Sequence, residues 1–397
     1  MRGSALSTLL VAVLALLGLA SGCSKSEDSI KIGVIAPFSG PFASSGAEIE
    51  AGMRTYLKQH GDTLENRKIE LLIRDTTGPA PEVAKRLAQE LVVRDKADLL
   101  VGFGLTPEAL AVAPVATEAK KPMIVMNAAT SIITTKSPYI VRVSFTVGQV
   151  TAPLATWAIN NGISSVFTLV SDYAPGIDAE AQFKKTFQAA GGKIVDSLRV
   201  PLQNPDFSPY VQRIKDAAPQ AAFVFVPAGE QGTAFMKAFD ERGLRQAGIQ
   251  LLATGDVTED YQLGAMGKAA LGVVTTHHYS AAHPGAENEA FLKAFAEVTG
   301  GKMRANFMAV AGYDGMALIF ETVRRLEGKL DPDQVVETLK GLELKSPRGP
   351  IRIDPRTRDI VQTIYVRRVE ERDGQLYNIE FDQFPEVVDP GKPPSVQ

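Results

Sequence analysis

The chain has 397 residues, 45% of them hydrophobic and 22% charged, which suits a globular protein with room for two domains and a core in each. A formal net charge of -3 gives no electrostatic case for nucleic acid or for an anionic membrane surface. One cysteine leaves neither an intrachain disulfide nor a thiol pair for redox chemistry, and four histidines are thin material for a histidine-rich metal site.

At the N-terminus, Arg2 and the free amine make a short positive region, and residues 6–19 are almost wholly apolar. That run is too short to span a bilayer comfortably but suits the core of a signal peptide, expected over residues 1–22. It ends in Leu19-Ala20-Ser21-Gly22-Cys23, small residues followed by the only cysteine. The arrangement resembles a bacterial lipobox, which implies that the Cys23 thiol is acylated and that the mature chain is exported and held at a membrane. Acyl chains anchor by burying methylenes at about 0.8 kcal/mol each. Residues 23–29 then read as a polar tether.

From Ile30 the pattern alternates short apolar strands with helical segments. Residues 31–36 (KIGVIA) form a strand that enters the loop PFSGPFASSG, and residues 47–60 have helical spacing. Strands follow at 69–74, 97–102 (ADLLVG) and 122–126 (PMIVM), with helices at about 81–93 and 107–119 between them. Short β-branched strands without alternation are those of a parallel sheet covered on both faces. The rhythm restarts with a strand at 165–170, a helix at 176–190, a strand at 222–226, a helix at 230–242 and a strand at 249–253. Long and short helices are expected at 306–327 and 332–341, then a β-hairpin of 351–353 with 360–369 around Asp354-Pro355-Arg356-Thr357. Two βα series of this size predict two doubly wound α/β lobes. The proline-bearing residues 385–397 are expected to form a disordered tail.

In such sheets a ligand sits beyond the C-terminal ends of the strands. ADLLVG runs into Phe103-Gly104-Leu105-Thr106-Pro107-Glu108, where Thr106 suits a helix N-cap and the free N–H groups of the first turn can hold an anion. PMIVM leads into Asn127-Ala128-Ala129-Thr130, small residues that let backbone approach a ligand. Thr106 and Thr130 also suit plain capping roles. In the second series, Tyr173 can stack on a ligand or donate to it. Glu230 and Asp256 stand at strand ends too, and Asp256 can face an ammonium or accept from backbone N–H groups.

Taken in order, KIGVIAPFSGPFASSG, RDTTGPAPEVAKRLAQELV, VGFGLTPEAL, MNAAT, SDYAPG, TGDVTEDYQLG, YDGMA and PRGPIRIDPRTRDIVQTIYV resemble the periplasmic leucine/isoleucine/valine-binding proteins over nearly the whole mature chain. The resemblance implies a type I periplasmic binding protein, two lobes joined by three hinge crossings near 144–148, 274–277 and 348–351. Lobe 1 would comprise 30–145 and 276–348, and lobe 2 would comprise 146–275 and 349–384. It implies that Thr106, Thr130 and the Ala128 backbone hold a ligand carboxylate, and that Asp256, shorter than the family's glutamate, faces the ammonium. Ser45 stands where an aromatic residue often lines the site. Leu105 falls near the place of a disulfide found in some members. SDYAPG and the closing segment look closer to relatives that bind other acids, aromatic carboxylates among them.

Other patterns carry less. His277, His278 and His283 fall at an expected crossing without cysteine partners and read as packed or solvated. No Gly-x-Gly-x-x-Gly, Walker lysine or Gly-x-Ser-x-Gly is present. Trp157 reads as core, and Arg142 as structural through an ion pair. The expectation is a monomeric, non-enzymatic solute-binding protein of an ABC importer, without cofactor or metal. Ser45, Leu105, Thr106, Ala128, Thr130, Tyr173, Glu230 and Asp256 would line its ligand site, and an ABC permease in the membrane would be its partner. The cargo would be an amino acid or a related small carboxylate. The alternatives are an aromatic carboxylate, or a ligand-sensing regulatory module on the same fold.

Overall fold

The computed structural model describes residues 29–392; Cys23 and the expected signal segment lie outside the described residues. The chain opens with β1 (Ile30–Ala36), α1 (Ala43–His60), β2 (Thr63–Leu64), β3 (Arg67–Asp75), α2 (Pro81–Val93), β4 (Leu99–Gly102), α3 (Thr106–Glu118), β5 (Met123–Val125) and β6 (Ile140–Arg142). These strands form one sheet in the order β2-β3-β1-β4-β5-β6, parallel except for the β2–β3 hairpin. Every residue of β4, β5 and β6 is buried, which is why their sequences show no polar alternation.

The second lobe follows as α4 (Val147–Asn160), β7 (Ser165–Ser171), α5 (Ala174–Ala189), β8 (Lys193–Val200), α6 (Ser208–Ala217), β9 (Ala221–Phe225), α7 (Glu230–Glu241), β10 (Gln250–Thr254) and β11 (Val274–His277). The chain then returns to the first lobe as α8 (Ala286–Thr299), α9 (Phe307–Arg325) and α10 (Pro332–Leu339). It crosses back to add β12 (Glu343–Ser346), β13 (Gly349–Ile353), β14 (Ile360–Arg372) and β15 (Gln375–Val387). The second sheet runs β12-β13-β14-β11-β10-β9-β7-β8, with β15 on β14. Its β7 to β11 half is parallel and its C-terminal half antiparallel. This is the two-lobed type I architecture expected from the sequence.

Helix α9 is seated backbone to backbone on α1. A Cβ on Gly52 would stand 1.8 Å from the Ala309 carbonyl oxygen, and one on Gly312 2.2 Å from that of Ile49, so only glycine fits at either position. The largest apolar cluster runs through both lobes, from Val34 and Val101 through Phe145 and Leu154 to Ile364. Smaller clusters back the outer faces, around Leu100 and Val112 in the first lobe and Phe235 and Leu251 in the second.

Two expectations are corrected. Residues 343–346 pair with β13 and so belong to the second lobe, not to the first. The segment beginning at Pro385 is not a disordered tail as far as Lys392: β15 continues through Pro385 to Val387, and Asp389 and Lys392 fold back on Ser131, Thr134 and Asp359. Proline is tolerated there because β15 is an edge strand and the ladder slips beside it. The edge strand β8, KIVDSLRV, was not foreseen; its half-exposed, mixed sequence lacks an apolar run.

Candidate ligand site

Six strand ends converge on the gap between the lobes. The loop after β1 brings Phe42 and Ser45, β4 brings Gly104 to Thr106, and β5 brings Asn127 to Ala129. From the other side come Tyr173 and Pro175 after β7, Phe225, Pro227 and Ala228 at β9 and Asp256 after β10. Together they surround about 450 Å³ of space not filled by atoms, part of it open to solvent. The described residues lining this cavity include no lysine or arginine.

On the first lobe the polar groups are neutral. The Thr106 hydroxyl donates to that of Thr130 at 3.2 Å, joining two neighbouring strand ends. Thr106 is not the N-cap expected from the sequence: Leu105 holds the extended cap position and Thr106 is the first helical residue, so its hydroxyl points away from the capping role. The Ser45 hydroxyl donates to the Phe42 carbonyl at 2.6 Å. Asn127 donates to the Gly104 carbonyl at 2.8 Å, while its own buried Oδ1 has no partner among the described residues. Behind them Arg142, fully buried, pairs with Asp359 at 2.9 Å and donates to the carbonyls of Ala128 and Thr130 at 3.1 and 3.0 Å. One guanidinium thus sets the backbone of this loop and leaves a positive charge behind it.

Glu108 sits in the first turn of α3, where an ionised carboxylate would repel an anion. It is wholly buried, accepts from the Thr76 hydroxyl and from the Leu105 N–H at 3.3 Å, and burial pushes its carboxyl up to about 8. It is therefore neutral near pH 7. In the first turn of α3 only Thr106 lines the cavity, and Pro107 carries no N–H, so the N–H groups of Thr106 and Glu108 are the donors left without an intrahelical acceptor, beside an uncharged acid. Such an arrangement suits an anion and brings no cation into contact with it.

The walls are aromatic. Phe42 and Phe145 come from the first lobe and its first crossing, and Tyr173 and Phe225 from the second, with their rings stacked at 6.2 Å and 24°. Among the described residues, Asp256 is the one carboxyl lining the cavity. It is 7% exposed, its Oδ2 lacks a hydrogen-bond partner among the described residues, and burial pushes it up to about 6, with the Thr254 hydroxyl and then Arg367 pulling the other way. His277 lies 3.8 Å from that oxygen; burial and then the guanidinium of Arg367 hold its imidazole well below its ordinary pKa, so it is neutral.

Of the residues singled out by sequence, Ser45, Leu105, Thr106, Ala128, Tyr173 and Asp256 line the cavity, and Thr130 stands behind Thr106. Glu230 does not: it opens α7 and lines a separate cavity at the mouth with Pro79, Leu202 and Phe207. Its helix starts one loop beyond the strand end, so its side chain faces the rim. The aromatic wall was missed. Phe42 lies three residues before Ser45 in a loop already marked, whereas Phe145 and Phe225 sit in a crossing and a strand, where apolar residues are ordinarily core. His277, His278 and Trp157 are buried, and no group of three potential metal-ligating residues is found among the described residues. No described helix is long and apolar enough to cross a membrane.

Residues 29–375 match the family model described as "Periplasmic binding protein". The chain is 45% identical to "Leu/Ile/Val-binding protein homolog 6" of Brucella melitensis biotype 1 over 379 residues, 95% of this chain and 97% of that one. A solute-binding protein of an ABC transporter from Rhodopseudomonas palustris BisB5, solved with 3,4-dihydroxybenzoic acid, is 55% identical; the match has a TM-score of 0.89 and covers 92% of this chain and 99% of the other. A second R. palustris solute-binding protein, solved with 4-hydroxybenzoate, is 44% identical with a TM-score of 0.90 and the same coverage.

Proposed function

The chain belongs to the periplasmic binding protein family and serves as the solute-binding protein of an ABC transporter, and on that footing we propose that its cargo is a hydroxylated aromatic carboxylate. The observation that carries this reading is the pairing of aromatic walls with a cation-free anion end in one cavity. Phe42, Phe145, Tyr173 and Phe225 offer faces to a flat ring, and Thr106, Thr130 and the α3 N-terminus offer donors to its carboxylate. The R. palustris relatives solved with hydroxybenzoates support it.

The name of the Brucella relatives favours a second reading, an aliphatic amino acid with its ammonium on Asp256. One feature weighs against it. The cationic Arg367 stands close enough to influence Asp256, so an ammonium would meet the carboxylate beside a positive charge.

Closure of the lobes on the ligand supplies the signal to the permease, because a ligand held by both lobes binds the closed form more tightly than the open one. Binding without turnover is the proposed role, by a monomer. We extend the reading to Cys23 as the lipid attachment point that keeps the protein at the membrane; unchanged release of Cys23→Ala and wild type into the soluble fraction would remove that part. The cargo is tested by a thermal-shift panel of branched-chain amino acids and benzoates. A ligand at one hundred times its Kd adds about 2.7 kcal/mol of stability. Stabilisation by hydroxybenzoates and none by leucine is expected; the reverse would overturn the aromatic reading.

A further inference from the structure

Resting on the aromatic-acid reading, we infer that Asp256 is the specificity residue that selects a ring hydroxyl opposite the carboxylate. The two polar ends of the cavity belong to different lobes: Thr106 and Thr130 follow strands of the first sheet, and Asp256 follows β10 of the second. A rigid ring carrying its carboxylate at the first lobe therefore turns its para position, rather than its ortho position, toward the second.

What waits there is an acceptor without a donor. Oδ2 of Asp256 is buried and unpaired among the described residues, although the side chain lines the cavity. The Thr254 hydroxyl lies close enough to lower the Asp256 pKa, yet it and Oδ2 are both left without a hydrogen-bond partner among the described residues. His277, at 3.8 Å, is beyond hydrogen-bond reach. Arg367 donates to the Thr275 hydroxyl and the Tyr279 carbonyl and makes no hydrogen bond to Asp256. Tyr173 and Phe225 present stacked rings.

Fold packing alone gives no reason to strand a carboxylate at this place, and a buried acceptor left unmade is costly. A phenolic O–H donating to Oδ2 makes the missing bond, with the charge of the acceptor strengthening it. Unsubstituted benzoate cannot, and closing the lobes on it leaves the acceptor desolvated and empty. An ammonium is disfavoured by Arg367, whereas a neutral hydroxyl is not.

The test is calorimetric titration of the full mature protein with 4-hydroxybenzoate, 3-hydroxybenzoate and benzoate, for wild type and Asp256→Ala. Wild type is expected to bind 4-hydroxybenzoate about 10- to 100-fold tighter than benzoate, the scale of one hydrogen bond to a charged group, with 3-hydroxybenzoate between them. In Asp256→Ala the ratio of the first to the last falls to about 1. Equal wild-type affinity for all three acids, or an unchanged ratio in the variant, overturns the Asp256 assignment and leaves the aromatic-acid reading standing. The wild-type series needs no variant to fold. Failure of wild type to bind any of the three overturns both.

Discussion

Arg348 and Asp314 form an ion pair at 2.8 Å in which each side chain is only 1% exposed. The same guanidinium donates to the carbonyls of Val143 at 2.7 Å and Ser144 at 3.2 Å and to Gln362 Oε1 at 2.8 Å. One side chain thus joins the first crossing, helix α9 of the first lobe and strand β14 of the second. Removing one partner leaves the other charge buried and uncompensated, so Arg348→Met should cost about 3–5 kcal/mol of stability by urea denaturation. A loss below about 1 kcal/mol would mean that the hinge does not depend on this pair.

Across the mouth of the cleft, the Ser131 N–H of the first lobe donates to Asp178 Oδ2 of the second at 3.2 Å. A bond between lobes favours the closed form without touching ligand. Asp178→Ala should therefore raise the dissociation rate of bound acid about three- to tenfold, with the association rate little changed. Equal rates in stopped-flow measurements would show that the clasp contributes nothing to closure.

The two threonine hydroxyls at the anion end act as one unit, being hydrogen-bonded to each other. Thr106→Val and Thr130→Val should each weaken acid binding about tenfold, and the double variant by less than the product, because either change also frees its neighbour. Unaltered affinity in both single variants would remove the pair from the site.

Stability should fall as the pH rises. Burial raises the Glu108 carboxyl from its ordinary 4.5 to about 8, and that of Glu259 to about 7. Below about 4.5 both folded and unfolded chains hold these protons. Above it the unfolded chain ionises first, and stability is lost until the folded groups titrate as well. Melting temperatures measured between about pH 6.5 and 8, above the range in which His277 and His278 oppose the trend, should decline, and Glu108→Gln should flatten part of the slope. An identical slope in the variant would contradict the burial of an uncharged Glu108.

The lobes, their strand ends and most of the polar site could be read from sequence because parallel strands are apolar throughout and ligand loops follow them in a fixed place. Thr106, Thr130 and Asp256 each stand one loop residue or a few beyond such a strand. What could not be read is what assembles across the chain. Phe225 looks like any strand phenylalanine until β7 and β9 place it beside Tyr173. Pro385 reads as a terminator unless the strand that runs through it is known to lie at an edge. Arg142 was expected to form an ion pair, but its partner Asp359 lies 217 residues away and no local pattern names it.

The most direct measurement is a crystal structure of the protein with 4-hydroxybenzoate. The carboxylate should contact Thr106 or Thr130 at the start of α3, with the ring between Phe42 and Phe225 and the hydroxyl toward Asp256. An acid lodged outside the cleft, or one whose carboxylate is turned to the second lobe, would contradict the reading of the site.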